Sequence, residues 1–166
     1  MTITSDSTTI IIARIEPKPG ENQRTAERRC AAEIVSAAIG EPAVIEHTPD
    51  GAPYIGGRED LHISISHSRH LVAVAIDPSR RIGIDIEEPR PTQLARVTQR
   101  FLSPEELAVY GDDPDALLLA WTKKEAAYKI APYADLRLID IDDNAAIDFP
   151  LCTIIDGARL TLAVAR

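Results

Sequence analysis

A chain of 166 residues with 45% hydrophobic and 27% charged side chains has the make-up of a globular protein with a buried core, which excludes a disordered polymer and a membrane bundle. Its net charge of −8 at pH 7 argues against a protein whose main task is gripping nucleic acid. The charge is uneven: arginines, among them Arg24, Arg28, Arg29, Arg90 and Arg100, gather in the first hundred residues and aspartates gather near the end, so a basic face on an acidic molecule is expected.

The start, MTITSDSTT, is polar and shows neither the basic nor the apolar part of a secretory signal, and the longest apolar runs are too short to span a bilayer. The expected setting is cytoplasmic, with no membrane partner. Residues 9–16, TIIIARIE, predict a strand, and PKPG breaks it. From Asn22 to Ile39 the residues Ala26, Cys30, Ile34, Ala37 and Ala38 recur at near-helical spacing, with Gly40 and Pro42 as the stop. AVIEHT and PYI flank Pro49, Asp50 and Gly51 as a hairpin would. LHISISH and LVAVAID are two further β-rich runs, and DPSRR turns into RIGIDIEEPR. Cys30 and Cys152 are distant in sequence, as two reduced thiols would be, although a fold that brought them together would allow them to pair.

The second half begins at Arg81. In RIGIDIEEPR the isoleucines 82, 84 and 86 alternate with Gly83, Asp85 and Glu87, so a strand here turns isoleucines to one face and carboxylates to the other. EPRP reads as a breaker, LARVTQRF as a short helix, and Ser103-Pro104-Glu105-Glu106 as a helix start with serine as N-cap. Asp113 or Asp115 opens a longer helix to about Ile130, ended by Pro132. The tail, LRLIDID, LCTII and LTLAVA, predicts strands with a turn at Asp156-Gly157. The expected architecture is α+β, two halves in tandem, 1–80 and 81–166.

On the long helix Trp121, Glu125 and Lys129 are four apart and share a face, with Lys124 and Tyr128 flanking. A surface ion pair between Glu125 and Lys129 is the plain reading, and an exposed strand face is the plain reading of Asp85 and Glu87. A fold that packs this helix on that strand would instead bring three carboxylates together, and they would repel unless protons or a divalent cation neutralised them. All-oxygen ligands select a hard ion such as Mg²⁺, whose open positions suit phosphate. Ser66, His67 and Arg69 form a polar cluster that either caps a turn or meets a phosphate. The glycine-rich nucleotide fingerprints and a nucleophile elbow are absent, and the net charge disfavours a metal-dependent nuclease built on the same acids.

Together, ISHS at 65–68, GIDIE at 83–87, RFLSPEE at 100–106 and WTKKEAAYK at 121–129 resemble the 4′-phosphopantetheinyl transferase superfamily, in order and in approximate spacing. Some eighty residues precede GIDIE, so the chain is similar to the longer form of the family, with two fused pseudo-symmetric lobes and the active site between them, in a compact and monomeric version. The resemblance implies that coenzyme A is the co-substrate and that its phosphopantetheine arm passes to a serine of an acyl or peptidyl carrier protein, leaving adenosine 3′,5′-bisphosphate. It implies Mg²⁺ held by Asp85, Glu87 and Glu125, with Glu125 and Lys129 as catalytic groups. It assigns coenzyme A contacts to Arg24, Ser66, His67, Lys124 and Lys129, and it gives Glu106 the task of orienting the site's lysine. The chain departs from the family where Ala52 stands in place of the lysine of a G-K-P turn, and where IAPYAD follows Lys129 instead of a glycine-containing turn. A non-catalytic adaptor that binds coenzyme A or a carrier protein is the alternative, disfavoured because an adaptor has no need of an acid cluster.

Overall fold

The computed structural model describes residues 1–130, 137–141 and 147–166. Strands β1 (Thr2–Ser5) and β2 (Thr8–Arg14) form a hairpin; helix α1 (Gln23–Ile39) follows, then the short hairpin of β3 (Ile45–His47) and β4 (Pro53–Ile55), and strands β5 (His62–His67) and β6 (Leu71–Asp77). The second half holds β7 (Ile82–Glu87), helices α2 (Pro91–Ala95), α3 (Pro104–Tyr110) and α4 (Pro114–Ile130), and the hairpin of β8 (Ile147–Ile155) and β9 (Ala158–Ala165). The first sheet has the order β1-β2-β6-β5 and the second β7-β9-β8, with antiparallel pairing throughout. In each half a strand leads to a long helix and then to two strands, the later of which pairs with the first. The architecture is α+β.

Alternation sorts the strands into layers. On β6, Val72, Val74 and Ile76 meet Ala26, Cys30, Ile34 and Val35 of α1, while Leu71, Ala73 and Ala75 face the other way. There they meet Ile82, Ile84 and Ile86 of β7 and Leu160, Leu162 and Val164 of β9, so the main core lies between the two sheets. Helix α4 covers the outer face of the second sheet, where Ala126 and Ile130 pack on Ala163, and the hydroxyls of Thr122 and Thr161 meet at 2.9 Å. The isoleucine side of β7 is therefore core and the Gly83, Asp85, Glu87 side looks toward α4, as the alternation predicts.

Helix ends follow local chemistry. Asn22 caps α1 by accepting the Thr25 N–H, and Gly40 ends it in a left-handed conformation. Ser103 and Glu106 form a reciprocal capping box on α3, and the Asp113 carboxylate accepts the Ala116 N–H at the start of α4. Asp156 and Gly157, both at positive φ, make the β8–β9 turn.

Three expectations need correction. β1 is missing from the sequence reading because an edge strand with alternating exposure can be as polar as TITS. The breaker EPRP gives way at Pro91 to the first residue of α2, where a proline's lack of an N–H costs nothing, and the expected LARVTQRF helix ends at Ala95 before a 3₁₀ turn at Thr98–Arg100. Within LRLIDID, Leu138–Asp140 form a 3₁₀ turn clamped by the Arg137–Asp140 pair instead of a strand. Pro132, the expected stop of α4, lies outside the described residues. Cys30 is buried, Cys152 is exposed, and neither is in a disulfide.

Asp77, fully buried at the end of β6, ties the halves of the first sheet together. It accepts hydrogen bonds from the hydroxyls of Ser7 and Thr8 and from the backbone N–H groups of Ser79 and Arg80. Burial by itself would raise its pKa, but these donors outweigh it and hold the carboxyl well below the usual range. A depressed carboxyl pKa adds stability that is present above the unfolded value and is lost as pH falls toward the folded one. Asp77→Asn is expected to cost about 2–3 kcal/mol at pH 7 in urea unfolding, with the gap to wild type narrowing below about pH 4. A gap independent of pH would contradict this assignment.

Candidate active site

The edge of β7 that is not paired with β9 carries backbone groups that a sheet would leave open. Side chains fill them. The Ile84 N–H donates to Ser64 Oγ at 3.0 Å, the Ile86 N–H donates to Ser66 Oγ at 3.2 Å, and the Ile84 carbonyl accepts from Lys129 Nζ at 2.6 Å. The serines come from β5, whose alternation sends Ile63 and Ile65 toward α1 and Ser64 and Ser66 toward β7. The polar half of HISISH is thus a buried ladder for the neighbouring strand.

The same groups hold Asp85. Its Oδ1 accepts from Ser66 Oγ at 2.8 Å and from Lys129 Nζ at 3.1 Å, while its Oδ2 is buried without a hydrogen-bond partner. An orphaned carboxylate oxygen at a 6% exposed residue is costly unless something is meant to bind it. Glu87 and Glu125 are the acids beside it. Burial, opposed by Arg90 and reinforced by the charges of Asp85 and Glu125, pushes the Glu87 carboxyl up to about 7. Burial and then Asp85 raise Glu125, against Lys129 and Arg90. The charges of Asp85 and Glu125 thus reach Glu87, and that of Asp85 reaches Glu125. Among the described residues, no three His, Cys, Asp or Glu side chains stand close enough to hold an ion as arranged. Glu87 is turned to Arg90, whose Nη2 lies 2.7 Å from its Oε2.

Helix α4 reaches this strand because of Gly83. A Cβ at that position would lie 1.9 Å from the Ala126 carbonyl oxygen, so the helix backbone rests directly on the strand and Glu125 and Lys129 reach the level of Asp85.

An open cleft of about 1150 Å³, walled by α1, the β3–β4 hairpin, β5 and the end of α4, reaches the acids through Lys129, which lines it and donates to Asp85. Arg24, His67 and Lys129 line it together, so three of the residues read as coenzyme A contacts share one wall space. Arg28 joins them one turn after Arg24, a partner that the i,i+4 spacing would have revealed. Gly51, Ala52 and Pro53 close another side, with no lysine among them. His67 Nε2 lies 3.5 Å from Glu27 Oε2.

Two residues read as coenzyme A contacts do not line the cleft. Ser66 is buried and its hydroxyl is committed to Asp85 and the Ile86 N–H. Lys124, 3% exposed, points Nζ at Glu106 at 2.7 Å and at the Ile141 carbonyl at 2.8 Å. One residue from Glu125 is about 100° of helix turn, which carries Lys124 away from Asp85 and onto α3. Arg90 is the neighbour of the acids that the sequence reading passed over; it packs its guanidinium on the Trp121 ring at 5.1 Å.

Residues 81–162 match the model of the 4′-phosphopantetheinyl transferase superfamily. The chain is 32% identical over 130 residues to the 4′-phosphopantetheinyl transferase HetI of a Nostoc species, covering 71% of this chain and 55% of that protein. It is 37% identical over 86 residues to a 4′-phosphopantetheinyl transferase of Bacillus subtilis, covering 49% of this chain and 38% of that one. A third relative, 4′-phosphopantetheinyl transferase psf-1 of Bacillus pumilus, is 33% identical over 95 residues. With a β7 acid strand seated under α4 and this match across both, the chain belongs to the 4′-phosphopantetheinyl transferase superfamily. It spans about half the length, or less, of the curated relatives it matches.

Two outcomes are expected. Gly83→Ala forces α4 off β7 and lowers stability by about 2–3 kcal/mol in urea unfolding; an unchanged midpoint would contradict the backbone contact. Glu106→Gln leaves the buried Lys124 ammonium without its counter-charge and costs about 3 kcal/mol, most of it regained in the apolar pair Glu106→Leu with Lys124→Met. A double variant no more stable than the single one would show that the Ile141 carbonyl and the Ser103 N–H, which Lys124 and Glu106 also satisfy, outweigh the ion pair.

Proposed function

We propose that the protein transfers the 4′-phosphopantetheine arm of coenzyme A to a serine hydroxyl of an acyl or peptidyl carrier protein. The observation that carries this reading is the buried, unpartnered Asp85 Oδ2, set beside Glu87 and Glu125 and joined through Lys129 to a cleft that Arg24, Arg28 and His67 also line. An acid cluster with an unsatisfied oxygen, joined to a cleft that carries Arg24, Arg28, His67 and Lys129 alongside Glu27 and Asp50, suits a diphosphate substrate that shares a hard cation.

Mg²⁺, held by Asp85, Glu87 and Glu125, would neutralise the diphosphate of coenzyme A and make its adenosine side a better leaving group. Arg24 and His67, with Arg28, bind the phosphates of the nucleotide end. Glu125, directly or through a water, takes the proton of the carrier serine as its oxygen attacks phosphorus. Lys129 Nζ, between Asp85 and the cleft, stabilises the charge that leaves on adenosine 3′,5′-bisphosphate. Ser66 positions Asp85, and Lys124 with Glu106 fixes α4 on α3; neither touches the substrate.

The repeated order of strand, helix and two strands supports two pseudo-symmetric lobes, 1–80 and 81–166, with the active site between them. The acidic chain meets acidic carriers through its arginine-rich first half and acts as a monomer in the cytoplasm. No helix among the described residues is long and apolar enough to cross a membrane. The missing lysine at Ala52 leaves Arg24 and Arg28 as the basic contacts on that side of the cleft.

The test is intact-mass spectrometry of apo acyl and peptidyl carrier proteins incubated with the protein and coenzyme A, with Mg²⁺ or with EDTA. A gain of one phosphopantetheine arm that EDTA abolishes is expected, and Asp85→Ala or Glu125→Ala should slow it at least about a hundredfold while the far-ultraviolet spectrum stays the same. Coenzyme A binding without any mass gain on several carriers would identify a binding adaptor instead.

A further inference from the structure

Arg90 occupies a position that the reaction does not require of it. It follows β7 by three residues, its Nη2 lies 2.7 Å from Glu87 Oε2, and its guanidinium sits 5.1 Å from the centre of the Trp121 ring. Trp121 is itself braced edge-on by Phe101 at 5.2 Å, so the guanidinium has a rigid platform. Its Nε is buried with no acceptor, so the side chain is held by the Glu87 carboxylate and the ring while one of its donors goes unused. Arg90 also lines a hollow of about 350 Å³ with Gln93, Leu94, Val97 and Trp121. Glu87 is thus drawn toward a protein cation, and in this arrangement the three acids do not form a cage.

We propose that Arg90 is an internal counter-cation, a latch that holds Glu87 and must release it, withdrawing along Trp121, before Glu87 can join Asp85 and Glu125 around a divalent ion. The latch rests on the metal site proposed above. Its consequence is that the ion competes with a tethered guanidinium for one carboxylate, so the site binds metal less tightly than its three acids alone would. It also ties metal loading to the chain's single tryptophan, because a cation leaving the face of an indole changes that ring's surroundings.

The test separates the latch from the metal site. Mn²⁺ is titrated into the protein at pH 8, with and without coenzyme A, while free ion is counted by electron paramagnetic resonance and Trp121 fluorescence is followed in the same samples. Wild type, Arg90→Gln and Asp85→Ala are compared; Arg90 is partly exposed, glutamine keeps part of its aliphatic stem, and equal urea midpoints establish that the packing around Trp121 is kept. The latch predicts a wild-type fluorescence change with the same midpoint as Mn²⁺ binding, roughly tenfold tighter binding in Arg90→Gln, and loss of the fluorescence change in that variant. Mn²⁺ binding to wild type with no change at Trp121, or binding to Arg90→Gln that is equal or weaker, would overturn the latch and leave the metal site standing. Binding that Asp85→Ala does not weaken, or no binding in any variant, would overturn both.

Discussion

The structure depends on how one strand edge is satisfied. β7 is paired with β9 on one side and has no strand on the other, yet its backbone is buried, so its open N–H and carbonyl groups must find partners or cost several kcal/mol. Ser64 and Ser66 accept the two N–H groups, and Lys129 donates to the carbonyl between them. Ser66 and Lys129 each also donate to Asp85 Oδ1, which leaves the lysine one N–H to spare. The interactions that join the two sheets are therefore the ones that aim the acid: the halves cannot shift against each other without moving Asp85.

A second constraint comes from charge. Asp85, Glu87 and Glu125 lie near one another on the buried side of β7 and the facing side of α4, and burial and mutual repulsion raise the pKa values of the two glutamates. The protein offsets this with cations of its own, Lys129 on Asp85 and Arg90 on Glu87. The offset is incomplete, since Asp85 Oδ2 has no partner. A site poised in this way would gain from a hard cation, and under the proposed function the cleft that Lys129 lines would take the phosphates sharing it.

Much of this was legible in the residues. The alternation of Ile82, Ile84 and Ile86 with Gly83, Asp85 and Glu87 fixes which side of β7 is core, and Ser103 with Glu106 marks the start of α3, because both patterns act within one turn or one pleat. The four-residue spacing of Glu125 and Lys129 put them on one face, and Asp85 proves to be what that face meets. Contacts across the fold were less legible. Ser66 reads as a polar residue near a ligand, and only the crossing of β5 with β7 turns its hydroxyl inward. Lys124 and Lys129 look interchangeable as basic residues until α3 places Glu106 beside the first. Gly83 was a signal left unused: a glycine inside a strand often marks a close backbone approach, here to Ala126.

Under the proposed function, Asp85, Glu87 and Glu125 are the ligands of one divalent ion where Lys129 joins them to the cleft. Diffraction from crystals of the coenzyme A complex grown with Mn²⁺, with an anomalous difference map, tests this most directly. The account predicts one strong peak touching Asp85 Oδ2, Glu87, Glu125 and a phosphate oxygen of the co-substrate, at the short distances of a hard ion with oxygen ligands. An ordered coenzyme A in the cleft with no peak at these acids, or with a peak elsewhere while Asp85 Oδ2 stays bare, would contradict it.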